Sequence, residues 1–315
     1  MPEPSTPTDQ QRIAAVLAPR FRLDELVASS AERMLFRARD RLLHRQVSIR
    51  VNLGRDPQLR SWFLKEAEAL AMLDHPAIRH VYEAAVVGDV AYRIGNWISG
   101  ESLEEAVARG PRPVPAVHVL ARDLLTALEH AHAHGIIVRR IVPASLMLSS
   151  TGRGTVTDLR FCNLTLPEIP RSELGSGLLY LAPEVRDGLP GDPTSDVYTA
   201  GAILYTAATG IAPTLDPAKL VAPSKIRPVI PRALERVIQR ALDPDPDERY
   251  LTAAEMIEDF ASDAGDYETP QVSLPEMPAV QNVGKHWETR LRRALGDDYE
   301  LLAALGQGGF GRVYR

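Results

Sequence analysis

Three glycines near the C-terminus, Gly306, Gly308 and Gly311, have the spacing G-x-G-x-x-G. Glycine at such positions lets backbone amides come close to phosphate oxygens and adopts positive φ at little cost. The chemistry implied is the binding of a phosphate-bearing ligand, although the triplet alone is a weak signal. A second group is His130, His132 and His134, of which 130 and 134 share one helix face. No cysteine or third well-placed ligand accompanies them, so packing is a better account than metal binding. The single cysteine, Cys162, excludes an internal disulfide and behaves as a small buried hydrophobe in a reducing compartment.

The elements that must position such residues are those of an ordinary soluble protein. Of the 315 residues 45% are apolar and 24% charged, with a net charge of −5. That mild, well-mixed charge argues against a nucleic-acid or anionic-membrane surface. Met1 to Gln11 has no apolar core and is not a signal peptide. The longest apolar run, Val197–Ala212, is shorter than the ~20 residues a membrane span needs and is read as a buried helix. The expected location is cytoplasmic, with no membrane segment and no nucleic-acid partner.

An internal repeat gives the glycines a context. Tyr299–Arg315 aligns without gaps onto Phe21–Arg37, aromatic on aromatic at both ends and apolar on apolar between. The first copy has Ala28, Ser30 and Arg33 where the second has Gly306, Gly308 and Gly311. Elsewhere, Val117, Leu120, Leu124, Leu128 and Ala131 recur at helical spacing in a helix around 113–134 that stops at Gly135. Thr252 and Glu255 form a capping-box pattern before a last helix.

Residues 134–160 organise the rest. They run His-Gly-Ile-Ile-Val-Arg-Arg-Ile-Val-Pro-Ala-Ser-Leu-Met-Leu and then Val-Thr-Asp-Leu-Arg. The pattern resembles the catalytic and metal-binding loops of eukaryotic-type, bacterial Hanks-type serine/threonine protein kinases. The resemblance covers roughly residues 20–262. It implies an α+β, bilobal fold with a small β-rich N-lobe and a larger helical C-lobe.

Placed on that family, Arg139 keeps the loop arginine. Arg140 replaces the catalytic Asp, Val142 the Lys and Ser145 the metal-binding Asn. Asp158 keeps the metal-binding Asp, and its salt bridge with Arg140 would take the place of the metal. Val47-Ser48-Ile49-Arg50 resembles the Val-Ala-Ile-Lys strand with Arg50 for lysine, and Glu66 falls at the helix C glutamate, so an Arg50–Glu66 pair is expected. Gly95 is either a small gatekeeper that opens the back of the pocket or a bulge in the strand. Leu181-Ala182-Pro183-Glu184 resembles the motif closing the activation segment, with Arg249 the expected partner of Glu184. Asp196 would brace the catalytic loop. Gly177 falls where the family usually has a substrate-loop Thr.

Parts that hold the fold are thus kept, whereas parts that carry chemistry are replaced. A permanent cation cannot accept the proton of a substrate hydroxyl, and a positioned base is worth roughly 10²–10⁴ in rate. The expected protein is a pseudokinase that regulates or scaffolds an adjacent kinase domain, in cis or in trans. It requires no cofactor, and ATP and magnesium bind weakly or not at all in the first domain. Metal-free capture of a phosphate-bearing ligand by Arg50, Arg140 and Arg160 is the alternative for the cleft. The alternative for the protein is an active kinase whose catalysis lies in a second domain beginning at the Gly306–Gly311 loop. The expected divisions are a flexible segment 1–20, a kinase-like domain 21–264, a linker 265–297 and the start of a second kinase domain at 298–315, detached or loosely packed.

Overall fold

The computed structural model describes residues 7–29, 33–53, 57–157, 175–263, 304–308 and 311–314. The chain divides into two compact units, Met1–Tyr267 and Glu268–Arg315.

The first unit begins with a helix, α1 (Pro7–Leu17), where the sequence led us to expect a flexible lead-in. Pro7 suits the first helical position. Ile13 and Leu17, one turn apart, are buried in the same apolar cluster as Phe21. Arg12 reaches Asp89 at 2.6 Å, and Arg20 bridges Asp40 and Glu83. The polar, proline-bearing start obscured this i, i+4 pair, so the flexible assignment is corrected for residues 7–17.

Five antiparallel strands follow: β1 (Phe21–Ser29), β2 (Arg33–Asp40), β3 (Arg45–Asn52), β4 (Val81–Val87) and β5 (Val90–Asn96). Their spatial order is β1-β2-β3-β5-β4. Side chains alternate across the sheet. Met34, Phe36 and Ala38, Val47, Ile49 and Val51, and Tyr92 and Ile94 bury one face together with α1. On the other face the register sets Leu35 beside Arg50 and Arg50 beside Arg93, while Arg33 pairs with Asn52. Helix α2 (Pro57–Ala71) buries Phe63, Glu66, Ala67 and Leu70, one stripe at i, i+3, i+4 and i+7.

The helical lobe starts with a short strand, β6 (Glu101–Ser102), and α3 (Leu103–Ala108), which Ser102 and Glu105 cap reciprocally. Helix α4 (Val114–Ala133) buries Val117, Leu120, Leu124, Leu128 and Ala131, and the chain turns at Gly135 with φ +71°. Strands β7 (Leu146–Leu148) and β8 (Gly154–Val156) close a small sheet with β6. At the centre is α5 (Pro193–Thr209), buried from Thr194 to Thr209. The Asp192 carboxylate accepts from the Thr194 and Ser195 amides at its start, and left-handed Gly210 ends it. A helix apolar on all sides must be enclosed, here by α4, α6 (Arg232–Ala241) and α7 (Ala253–Asp263). Thr252 caps the Glu255 amide of α7, but the Glu255 carboxylate reaches back to the Leu251 amide rather than to Thr252. Among the described residues no helix is long and apolar enough to cross a membrane.

In the second unit β9 (Ala304–Gly308) pairs antiparallel with β10 (Gly311–Tyr314). Gly306 faces Val313, and Ala304 faces Tyr314, with a register shift between them. The first hairpin pairs Ala28 with Leu35 and Leu26 with Phe36, with the same shift between them. Matched through the sequence repeat, the two hairpins share one register and one bulge.

Candidate active-site cleft

The loop between α4 and β7 is held from below by Asp196 in the first turn of α5. Its fully buried carboxylate accepts from the Val138 amide at 2.8 Å and the Arg139 amide at 2.5 Å. His132 Nε2 makes a third contact at 2.8 Å. These contacts fix the loop while Arg139 takes a left-handed φ of +55°, unusual for a residue with a side chain.

The next residue, Arg140, sends its guanidinium across to Gly177. A Cβ on residue 177 would lie 2.5 Å from the Arg140 terminal nitrogen and 3.1 Å from its Cζ and Nε. The cation therefore fills the space that any other side chain at 177 would claim. The expected salt bridge from Arg140 to Asp158 falls outside the described residues, as do Arg160 and Cys162.

Ser145 sits in a single 3-10 turn with Val142 at its start. Its hydroxyl donates to the Val142 carbonyl at 2.8 Å and accepts from the Val142 amide at 3.2 Å. The Ser145 carbonyl accepts from both the amide and the hydroxyl of Thr157. The Ser145 hydroxyl is thus turned onto the Val142 backbone.

In the N-lobe, Glu66 of α2 is 7% exposed and points at the sheet. The ion pairs shown for Glu66 are with Arg93 and Arg33, where the sequence led us to expect Arg50. Arg93 on β5 takes Glu66 Oε1 at 3.1 Å, and Arg33 on β2 approaches Oε2 at 3.6 Å. Arg93 is itself buried, with its guanidinium 5.5 Å from the Phe63 ring. Being forked and planar, arginine can bridge neighbours that lysine would meet as a point charge. Sequence inspection missed Arg93. The available signal was a cation inside the otherwise apolar run of β5.

Gly95, two residues on, faces no opening. A Cβ there would collide with the His80 carbonyl and touch the Arg79 side chain at 3.4 Å. The register of β4 shifts opposite this point, between Val81 and Glu83. A bulged strand crosses close to the backbone, so glycine is needed for that approach. The space expected for a gatekeeper pocket holds Arg79.

At the far side of the loop, Arg249 is buried and grips Glu184 with two parallel bonds of 2.8 and 2.9 Å. Ser195 donates to the same carboxylate at 2.7 Å. Burial pushes the Glu184 carboxyl up, but the bonds from Arg249 and Ser195 outweigh it and hold it below the usual range. The histidines meet as a stack: His75 lies 5.4 Å from His130, and His130 lies 4.5 Å from His134, measured between ring centroids. Among the described residues no group of three metal-capable side chains forms a metal site.

The protein kinase domain family matches residues 45–260, more than half of the sequence.

The chain belongs to the protein kinase domain family.

Serine/threonine-protein kinase PknB of Mycobacterium tuberculosis is 34% identical over 268 residues, covering 78% of this chain and 43% of that protein. PknB of Mycolicibacterium smegmatis is 32% identical over 269 residues, with the same shares. The kinase domain described here therefore sits in a chain that spans less than half the length of these curated relatives. Among solved structures, the PknI kinase domain of Mycobacterium tuberculosis has a TM-score of 0.63 at 22% identity, covering 78% of this chain and 96% of that one. The structure titled PpkA-294 apo form has a TM-score of 0.66 at 21% identity, with 76% and 96% covered. The fold is the protein kinase fold, a β-sheet N-lobe on a helical C-lobe.

Proposed function

We propose that the first kinase-like domain, residues 21–264, is a pseudokinase that acts by contact and not by turnover. The observation that carries this is Arg140 lying against Gly177. Phosphoryl transfer depends on positioned groups and charge stabilisation, and the position that would accept the substrate proton holds a permanent cation. ATP and magnesium are the family's usual ligands, and the described residues do not suit them. Glu66 is already engaged by two arginines, and Ser145 is closed onto Val142. Arg50, Glu66 and Asp158 then belong to a vestigial pocket, and Gly95 serves the close crossing of β4. Arg139, Glu184, Asp196 and Arg249 serve the scaffold that presents the domain to a partner.

A kinase domain in cis or in trans is the natural partner. Coupling of that kind supplies about 1–3 kcal/mol. The experiment is thermal unfolding with ATP, with and without magnesium, alongside peptide phosphorylation. We expect no magnesium-dependent gain and no phosphopeptide. A magnesium-dependent gain, or phosphorylation abolished by Asp158→Ala, would overturn the proposal.

A second proposal concerns the full-length protein: serine/threonine kinase activity resides in a second domain that begins near Tyr299. Support comes from the β9–β10 hairpin, which carries Gly306, Gly308 and Gly311 and repeats the register of β1–β2. A longer chain extending past Arg315 should phosphorylate a peptide and lose that activity when Gly308 is changed to Val. Retained activity in that variant would sink the proposal.

A further inference from the structure

Resting on the non-catalytic assignment above, we infer that Glu66 is a built-in clamp holding the N-lobe in one closed arrangement without any nucleotide. The two carboxylate oxygens have different cations from different strands. Arg93 of β5 takes Oε1 at 3.1 Å, and Arg33 of β2 approaches Oε2 at 3.6 Å. One side chain on α2 thereby ties the helix to the centre of the sheet and to its roof hairpin.

The register explains why these two arginines can converge. Leu35 pairs with Arg50, and Arg50 pairs with Arg93, which puts all three on the face opposite the apolar core. Arg33 lies two residues from Leu35 and shares that face. Arg93 and Glu66 are 5% and 7% exposed. Both charges are therefore removed from water, where a paired charge interacts strongly and a separated one is costly. Phe63, one turn before Glu66 on α2, supports the Arg93 guanidinium with its ring.

The clamp is specific to the first copy of the hairpin. Under the shared register Arg33 corresponds to Gly311, which has no side chain to reach a helix. In the first copy a guanidinium on the roof provides the link from within the chain.

Amide hydrogen exchange on the whole chain tests this. Local opening sets the exchange rate of each segment. In the wild type, α2 and the β1–β2 hairpin should be protected to the same degree with and without ATP and magnesium. Glu66→Gln should speed exchange in both segments by about tenfold or more while α5 in the C-lobe is unchanged. If Glu66→Gln unfolds the domain, the decision falls to Arg33→Gln, which removes the less buried of the two links to Glu66. It should loosen β1–β2 about tenfold and leave β5 protected. Unchanged hairpin exchange in Arg33→Gln, or extra protection of α2 on adding ATP and magnesium, would overturn the clamp. Phosphopeptide formation by the wild type is a separate readout, and it would defeat the pseudokinase proposal instead.

Discussion

Arg249 uses all five of its N–H donors, and the bidentate half of that set closes on Glu184. The remaining bonds reach the carbonyls of Asp243, Thr194 and Pro244. The pair therefore joins the segment before α5 to the loop after α6, beneath the candidate cleft.

Replacing Arg249 with Lys should be severe despite the kept charge. An ammonium group cannot satisfy a planar fork of acceptors, and the Glu184 carboxylate would remain half paired. We expect a loss of about 3–5 kcal/mol, as for breaking a buried pair, read from urea unfolding. The lowered Glu184 carboxyl adds a pH signature. Its stabilisation is full above the ordinary glutamate range of about 4.3 and disappears as pH falls through the lower folded value. In Arg249→Lys the acid limb of the stability curve should be shallower; an identical limb would contradict this linkage.

Gly177→Thr should clash with Arg140. The cost expected for such overpacking is about 1–3 kcal/mol. In an Arg140→Ala background the same change should cost less, with a coupling of about 1 kcal/mol or more in a double-mutant cycle. Additive effects would mean that the guanidinium does not occupy that space in solution.

His75 offers a pH test in a milder range. Burial, with neighbouring His130, pulls its pKa below the ordinary histidine value; Arg153 adds to this, while Asp123 and Asp74 oppose it. The unfolded chain then takes up the proton more readily than the folded one. Stability is complete above about pH 6.5 and decreases as pH falls through the lower folded pKa. Because His75 Nδ1 accepts the Ala77 amide, Asn is a suitable replacement that keeps an acceptor. Urea midpoints at pH 7.5 and 5.5 should differ less in His75→Asn than in the wild type. Equal differences would remove His75 from the account.

Ile13→Ala tests whether α1 belongs to the N-lobe. Ile13 is fully buried against the sheet, so truncation should cost about 2–5 kcal/mol. A negligible change would restore the view of residues 7–17 as a loose lead-in.

Much of the C-lobe was legible because its signals are local. The periodicity of α4 with its stop at Gly135, the apolar run Val197–Ala212 within and just beyond α5, and the Thr252 cap before α7 all lie within a few residues of what they determine. The Glu66 partnership was not legible. Arg50, Arg93 and Arg33 share one face of the sheet, and only the strand register and side-chain reach decide which of them arrive. Gly95 was ambiguous for the same reason, since the bulge that demands it is on β4. Helix α1 was hidden because its two anchoring residues acquire meaning only when the sheet face they cover is known.

The matched bulge in the two hairpins has a consequence for biosynthesis. At roughly 5–20 residues per second on the ribosome, the early copy has ten seconds or more to close against β3 and β5 before its twin is made. Order of translation thus lets the first hairpin pair within its own sheet before a second segment of the same register is made.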